Sequence, residues 1–86
     1  MNIRTLLVDD ESLAIQGLEL RLKPFADVEI VGRAMNGREA IRAIRTEKPD
    51  LVFLDVQMPG FDGFSVVSAL ADVQPPLFVF VTAYSD

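Results

Sequence analysis

Apolar runs of strand length alternate along this chain with segments whose apolar residues recur every three or four positions. Ile3 to Val8 is a short apolar run that reads as a buried strand, and Asp9-Asp10-Glu11-Ser12 breaks it with three acids and a hydroxyl suited to capping a helix. From Leu13 to Lys23, Ala14, Ile15, Leu18 and Leu22 fall at helical spacing, and Pro24 closes the pattern. Val28 to Ala34 carries β-branched Val28, Ile30 and Val31 and is less apolar, which predicts a strand at a sheet edge. Asn36-Gly37 is a turn in which Asn36 caps the next helix, with Glu39 completing a capping box and Ala40, Ile41 and Ile44 forming the buried stripe until Pro49. Leu51 to Leu54 is a third strand. After it, Asp62 is expected to cap a helix starting near Gly63 with the stripe Phe64, Val67, Leu70 and Ala71, stopped by Gln74-Pro75-Pro76. Leu77 to Val81 is a fourth strand, and Thr82 to Asp86 begins another loop.

Strands alternating with helices in short units call for an α/β fold with a parallel sheet covered on both faces, because crossovers between parallel strands are right-handed. The strand-order reversal of doubly wound sheets gives the expected order 2-1-3-4, so the first and third strands are central neighbours whose carboxyl ends share one rim. Residues 1–86 form a single domain with no repeat, low-complexity tract or linker.

Composition narrows the function classes. With 86 residues and no cysteine, stability must come from packing or partners rather than disulfides. Half the residues are apolar, but every apolar run falls well short of the ~20 residues of a membrane helix. No secretory signal pattern opens the sequence, which together with the missing cysteines favours the cytoplasm. A net charge of −5 without any Lys/Arg run argues against this segment gripping nucleic acid by itself.

The chemistry concentrates at the predicted rim. Asp9 and Asp10 end the first strand, Asp55 ends the third and Thr82 ends the fourth. Neighbouring strands lie about 4.8 Å apart, so carboxylates from both central strands can reach one small ion at about 2.1 Å, the Mg²⁺–oxygen distance. Without a cation, clustered carboxylates raise one another's pKa. A carboxylate can attack phosphorus to give an acyl phosphate once a cation neutralises the phosphoryl oxygens. Asp55 is the candidate nucleophile, Asp9 and Asp10 the candidate metal holders, the Gln57 backbone carbonyl a further metal ligand, and Thr82 Oγ1 a donor to a phosphoryl oxygen. Taken singly, each has a plain structural role: acids favour helix N-termini, and a strand-end Asp or Thr serves turns and caps. Helix capping, however, does not require acids ending both central strands and a hydroxyl ending the next. Phe53, Phe64, Phe78 and Phe80 read as core.

The acid pair in Val8-Asp9-Asp10-Glu11, the signature Asp55-x-x-Met58-Pro59-x-x-x-Gly63 and Val81-Thr82-Ala83 occur in this order. Together they give the whole chain a resemblance to the receiver domain of two-component response regulators, a flavodoxin-like doubly wound fold. The resemblance implies that Asp55 accepts a phosphoryl group from a histidine kinase, that Asp9, Asp10, Asp55 and the Gln57 carbonyl organise Mg²⁺, and that Thr82 senses the phosphoryl group. It also implies slow self-hydrolysis of the acyl phosphate rather than enzymatic turnover. The wording Phe80-Val81-Thr82-Ala83-Tyr84 is similar to regulators with a downstream LytTR-type DNA-binding domain, which implies a transcriptional output.

A complete receiver resembling this chain would continue through a fourth helix, a fifth strand ending in a Lys near the phosphoryl group, and a fifth helix. The sequence therefore reads as a truncated receiver. Such truncation would leave the fourth strand an apolar edge, and a homodimer through that edge or through exchanged elements is expected. Two alternatives are a structural or dimerisation fragment of the same fold that does no chemistry, and a haloacid-dehalogenase-like phosphatase, which would want an acid where Gln57 stands. A flavodoxin-like cofactor binder is disfavoured because Asp9-Asp10-Glu11 would repel phosphate after the first strand.

Overall fold

The expected alternation of strands and helices is realised in the computed structural model, which describes residues 2–55 and 63–81. The elements are β1 (Ile3–Val8), α1 (Ser12–Leu22), β2 (Val28–Ala34), α2 (Gly37–Glu47), β3 (Leu51–Asp55), α3 (Gly63–Ala69) and β4 (Leu77–Val81). All strand pairs are parallel and the order is β2-β1-β3-β4, as the doubly wound reading requires. The less apolar β2 is at an edge, and its pairing with β1 shifts register between Thr5 and Leu6. At their amino ends the strands are stitched by Asp50: its N–H donates to the Arg4 carbonyl (2.7 Å), its carboxylate accepts from Arg4 N–H (2.9 Å), and its carbonyl accepts from Leu77 N–H (3.0 Å).

Alternation along the central strands divides the interior in two. Leu6, Val8, Val52 and Leu54 project to one side and form the main core with Ala34, Ala40, Ile44, Val66 and Leu70. Thr5 and Leu7, both fully buried, take the opposite side, where α1 contributes Ile15. The Thr5 hydroxyl is satisfied by donating to the Ile3 carbonyl at 3.0 Å.

Several local expectations are corrected by the packing. Ser12 does not cap α1; it is the first helical residue, Glu11 is the N-cap, and no side chain caps that end. The stripe expected on α1 faces inward, with Ile15 buried and Ala14, Leu18 and Leu22 half-buried, while Leu13 and Leu20, outside the stripe, are 76% and 67% exposed. At 3.6 residues per turn, Leu13 points about 200° away from Ile15, which puts it on the outer side of the helix. The core positions here are Val66 in α3 and Leu70 just past its end at Ala69; Val67 is half-buried and Ala71 is exposed. The expected cap Asp62 lies outside the described residues, and so does the side chain of the stripe residue Phe64, whose backbone is in α3. Phe78 packs on the core and Phe53 is half-buried, but Phe80 is 40% exposed and is not core.

The N-terminus of α2 follows the sequence more closely. Asn36 is the N-cap, and its Oδ1 accepts from Glu39 N–H at 2.8 Å. The reciprocal bond differs from the standard capping box: Glu39 Oε1 accepts from Met35 N–H at 2.9 Å, one residue before the cap. At the other end Lys48 adopts φ 49°, ψ 58° and donates its N–H to the Ile44 carbonyl at 3.0 Å, which closes the helix before Pro49.

Candidate functional site

In the ladder between the two central strands Val8 lies opposite Leu54, so the residues that follow, Asp9 and Asp55, emerge side by side at the carboxyl rim. Asp10 follows at the turn into α1. One carboxylate oxygen from each of Asp9, Asp10 and Asp55 lies within 4.8 Å of the other two. Asp9 and Asp55 are buried, at 8% and 7% exposure, and Asp10 is half-buried. Of the residues expected at this site, the structure brings these three together; Gln57 and Thr82 lie outside the described residues.

Asp9 is held by its own backbone and by its neighbours. Its N–H donates to the Ala34 carbonyl at the end of β2 (3.0 Å), and its Oδ1 accepts from Glu11 N–H (3.0 Å) in the local turn Asp favours. Burial pushes the Asp9 carboxyl above its ordinary value; the Glu11 N–H opposes the shift, and the charges of Asp55 and Asp10 add to it. The mutual repulsion expected of clustered carboxylates is thus present at Asp9, though desolvation is the larger cause.

The donor set fits a hard divalent cation. Three carboxylate oxygens mutually within 4.8 Å, brought together from two adjacent strand ends, are the hard oxygen donors such an ion takes. Sequence reasoning did not identify the Ala34 carbonyl and the Glu11 N–H as supports of Asp9. Their signal is weak because each acts through the main chain, which any residue type supplies.

Fold and rim define an α/β domain with an acidic site at the carboxyl ends of its central strands. The chain belongs to the response regulator receiver domain family, which it matches over residues 5–86. It is 43% identical over 84 residues to the transcriptional regulatory protein BtsR of Salmonella typhi, covering 98% of this chain and 35% of that protein. An uncharacterized response regulatory protein of Shewanella oneidensis is 44% identical over 84 residues, covering 98% of this chain and 36% of the relative. The chain therefore spans about a third of the length of these relatives. Among solved structures it superposes on the signal receiver domain of the response regulator NarL of Mycobacterium tuberculosis with a TM-score of 0.85 at 30% identity, covering 99% of this chain and 69% of that one. It also superposes on the response regulator domain of Thermotoga maritima CheB with a TM-score of 0.88 at 28% identity, covering 96% and 62%. Membership in this family leaves the haloacid-dehalogenase-like reading without support.

Proposed function

We propose that this domain receives a phosphoryl group on Asp55 from a histidine kinase, with Asp9, Asp10 and Asp55 and the Gln57 carbonyl holding Mg²⁺ and Thr82 contacting a phosphoryl oxygen. The observation that carries the reading is the convergence of three carboxylates within 4.8 Å at the rim of the two central strands. These 86 residues contain no histidine, so a phosphohistidine donor comes from outside this domain. In the transfer, an Asp55 carboxylate oxygen forms the new bond to phosphorus while the phosphorus–nitrogen bond breaks, and the electron pair returns to the donor imidazole. What Mg²⁺ supplies when bound is neutralisation of the phosphoryl oxygens as they approach an anionic site. Burial of Asp55 at the strand end fixes its line of approach. Slow hydrolysis then returns the carboxylate and releases inorganic phosphate.

The expected result is a mass gain of one phosphoryl group when the chain is incubated with a small phosphodonor and Mg²⁺, mapped to Asp55 and lost with a chelator. No gain under any donor would overturn the reading and leave the non-phosphorylated structural fragment in its place.

The same reading gives the domain a cytoplasmic place and a transcriptional output, the role that the name of the Salmonella relative states for that protein. An output of LytTR type is the version the Phe80–Tyr84 wording supports. A homodimer through the β4 side forms part of the proposal. Among the described residues β4 is an outermost strand of five uncharged residues with Leu77 69% exposed, whereas the other outer strand, β2, carries Glu29 and Arg33 and a register shift, features that discourage edge pairing. Light scattering at high protein concentration is expected to give the mass of a dimer. A monomer throughout would contradict this part.

A further inference from the structure

The hydrogen bonds at the end of β2 run through a single peptide unit. The Ala34 carbonyl accepts from Asp9 N–H at 3.0 Å, and the N–H of the same Ala34–Met35 peptide donates to Glu39 Oε1 at 2.9 Å. Glu39 is in turn fixed at the start of α2, where its own N–H donates to Asn36 Oδ1 at 2.8 Å. The N–H of Glu39 is thus spent on the helix cap, and its carboxylate on the strand that supports the acidic site.

We propose that Glu39 is a positioning residue for the acidic site: its carboxylate orients and polarises the Ala34–Met35 peptide, whose carbonyl anchors the backbone of Asp9. This inference rests on the reading of Asp9 as a metal holder. A charged acceptor on an amide N–H draws electron density toward the carbonyl of that peptide, making the carbonyl a stronger acceptor; hydrogen bonds in a chain reinforce one another in this way. The Asp9 side chain is set by the same backbone, because its Oδ1 takes the Glu11 N–H at 3.0 Å and the carboxylate cannot shift without the turn. Groups one step removed from metal ligands act on affinity by such orientation. An ordinary capping box would send the glutamate to the N–H of the cap residue and would not touch this peptide. Here the displacement by one residue, to Met35, makes the connection.

The test uses Glu39→Ala, Glu39→Gln and Asn36→Ala, each measured without and with Mg²⁺. In metal-free protein, Glu39→Ala is expected to speed amide hydrogen exchange at Asp9 relative to Leu6, which lies in the same strand and is fully buried. In a Mg²⁺ titration it is expected to weaken binding on the order of tenfold. Glu39→Gln keeps an acceptor oxygen and should restore most of both. Asn36→Ala removes the helix cap but leaves the Glu39 to Met35 bond, so it should lower overall stability with a smaller effect on Mg²⁺. Unchanged Asp9 exchange in Glu39→Ala, equal acceleration at Asp9 and Leu6, or an Asn36→Ala loss of affinity as large as that of Glu39→Ala would each overturn the proposal. If native protein binds no Mg²⁺ at all, the metal reading fails, and the metal-free exchange comparison still decides whether Glu39 anchors Asp9.

Discussion

Asp55→Ala is expected to gain no phosphoryl group under conditions in which the native chain does, and to lower the pKa of Asp9 in the same molecule. The first result follows if Asp55 is the sole acceptor. Intact mass spectrometry after exposure to a small phosphodonor and Mg²⁺ reads it, and a retained gain would move the acceptor elsewhere. The second follows from the cluster itself. Asp9 is raised chiefly by burial and further by the charges of Asp55 and Asp10, so deleting one of those charges reduces the shift without abolishing it. The sign for stability is definite. An acid whose folded pKa lies above its unfolded value binds more protons when folded; its contribution is fully present below the ordinary value of 3.8 and is lost as pH rises through the folded value. Glu19 and Asp72 act in the opposite sense: hydrogen bonds from Arg33 and Arg45 lower them, and their contribution is lost as pH falls. Both are exposed surface pairs and are common to native and variant protein, so they cancel in the difference between the two profiles. Urea midpoints measured against pH in the presence of a chelator should therefore show a shallower decline for Asp55→Ala over the range above 3.8. Identical profiles would mean that Asp9 and Asp55 do not sense each other.

The strand order and the carboxylate cluster were legible in the sequence for one reason. Both depend on where apolar runs stop, and a run such as Leu51–Leu54 ending in Asp55 is unambiguous about its boundary. Once the strand-order reversal of a doubly wound sheet sets the order, the ends of the first and third strands must meet, and the register Val8 to Leu54 is the outcome. What sequence reading missed depends on which side of a helix meets a neighbour. On α1 the spacing set buried Ile15 and half-buried Ala14, Leu18 and Leu22 apart from exposed Leu13 and Leu20, but did not say which member of the stripe would be fully enclosed. On α3 the choice of Val67 over Val66 reflects the same ambiguity in a seven-residue helix, where two adjacent valines fit a helical stripe equally well. The amphipathic α2 has one apolar side, and there Ala40 and Ile44 were placed correctly. The bond from Glu39 to Met35 was beyond reach because a one-residue change of acceptor leaves the Asn36 to Glu39 spacing untouched.

Leu54→Ala, one residue before the proposed acceptor, is expected to cost about 3 kcal/mol, within the range of cavity-forming leucine truncations. Leu54 is fully buried among Val8, Val52, Val66 and Leu70, and its neighbours in the sheet are Val8 on one side and Phe80 on the other. Central parallel strands cannot collapse into the space, because their ladders to β1 and β4 fix their separation. An 86-residue domain has a total stability of roughly 4 to 13 kcal/mol, so this single truncation removes a large share of it. Leu13→Ala is the matched control: the same chemical change at a 76% exposed position should move stability by less than about 0.5 kcal/mol. Urea denaturation of the two variants measures the contrast, and a similar small effect from both would mean that Leu54 is not in a packed core. The Leu54 side chain lies on the α2 and α3 side of the sheet, whereas consecutive strand residues point to opposite faces. At a temperature where Leu54→Ala stays folded, the acidic rim should therefore survive, and the variant should still gain its phosphoryl group. Stability and chemistry then separate at two adjacent positions of one strand, which is the arrangement a strand-end acceptor on a buried support requires.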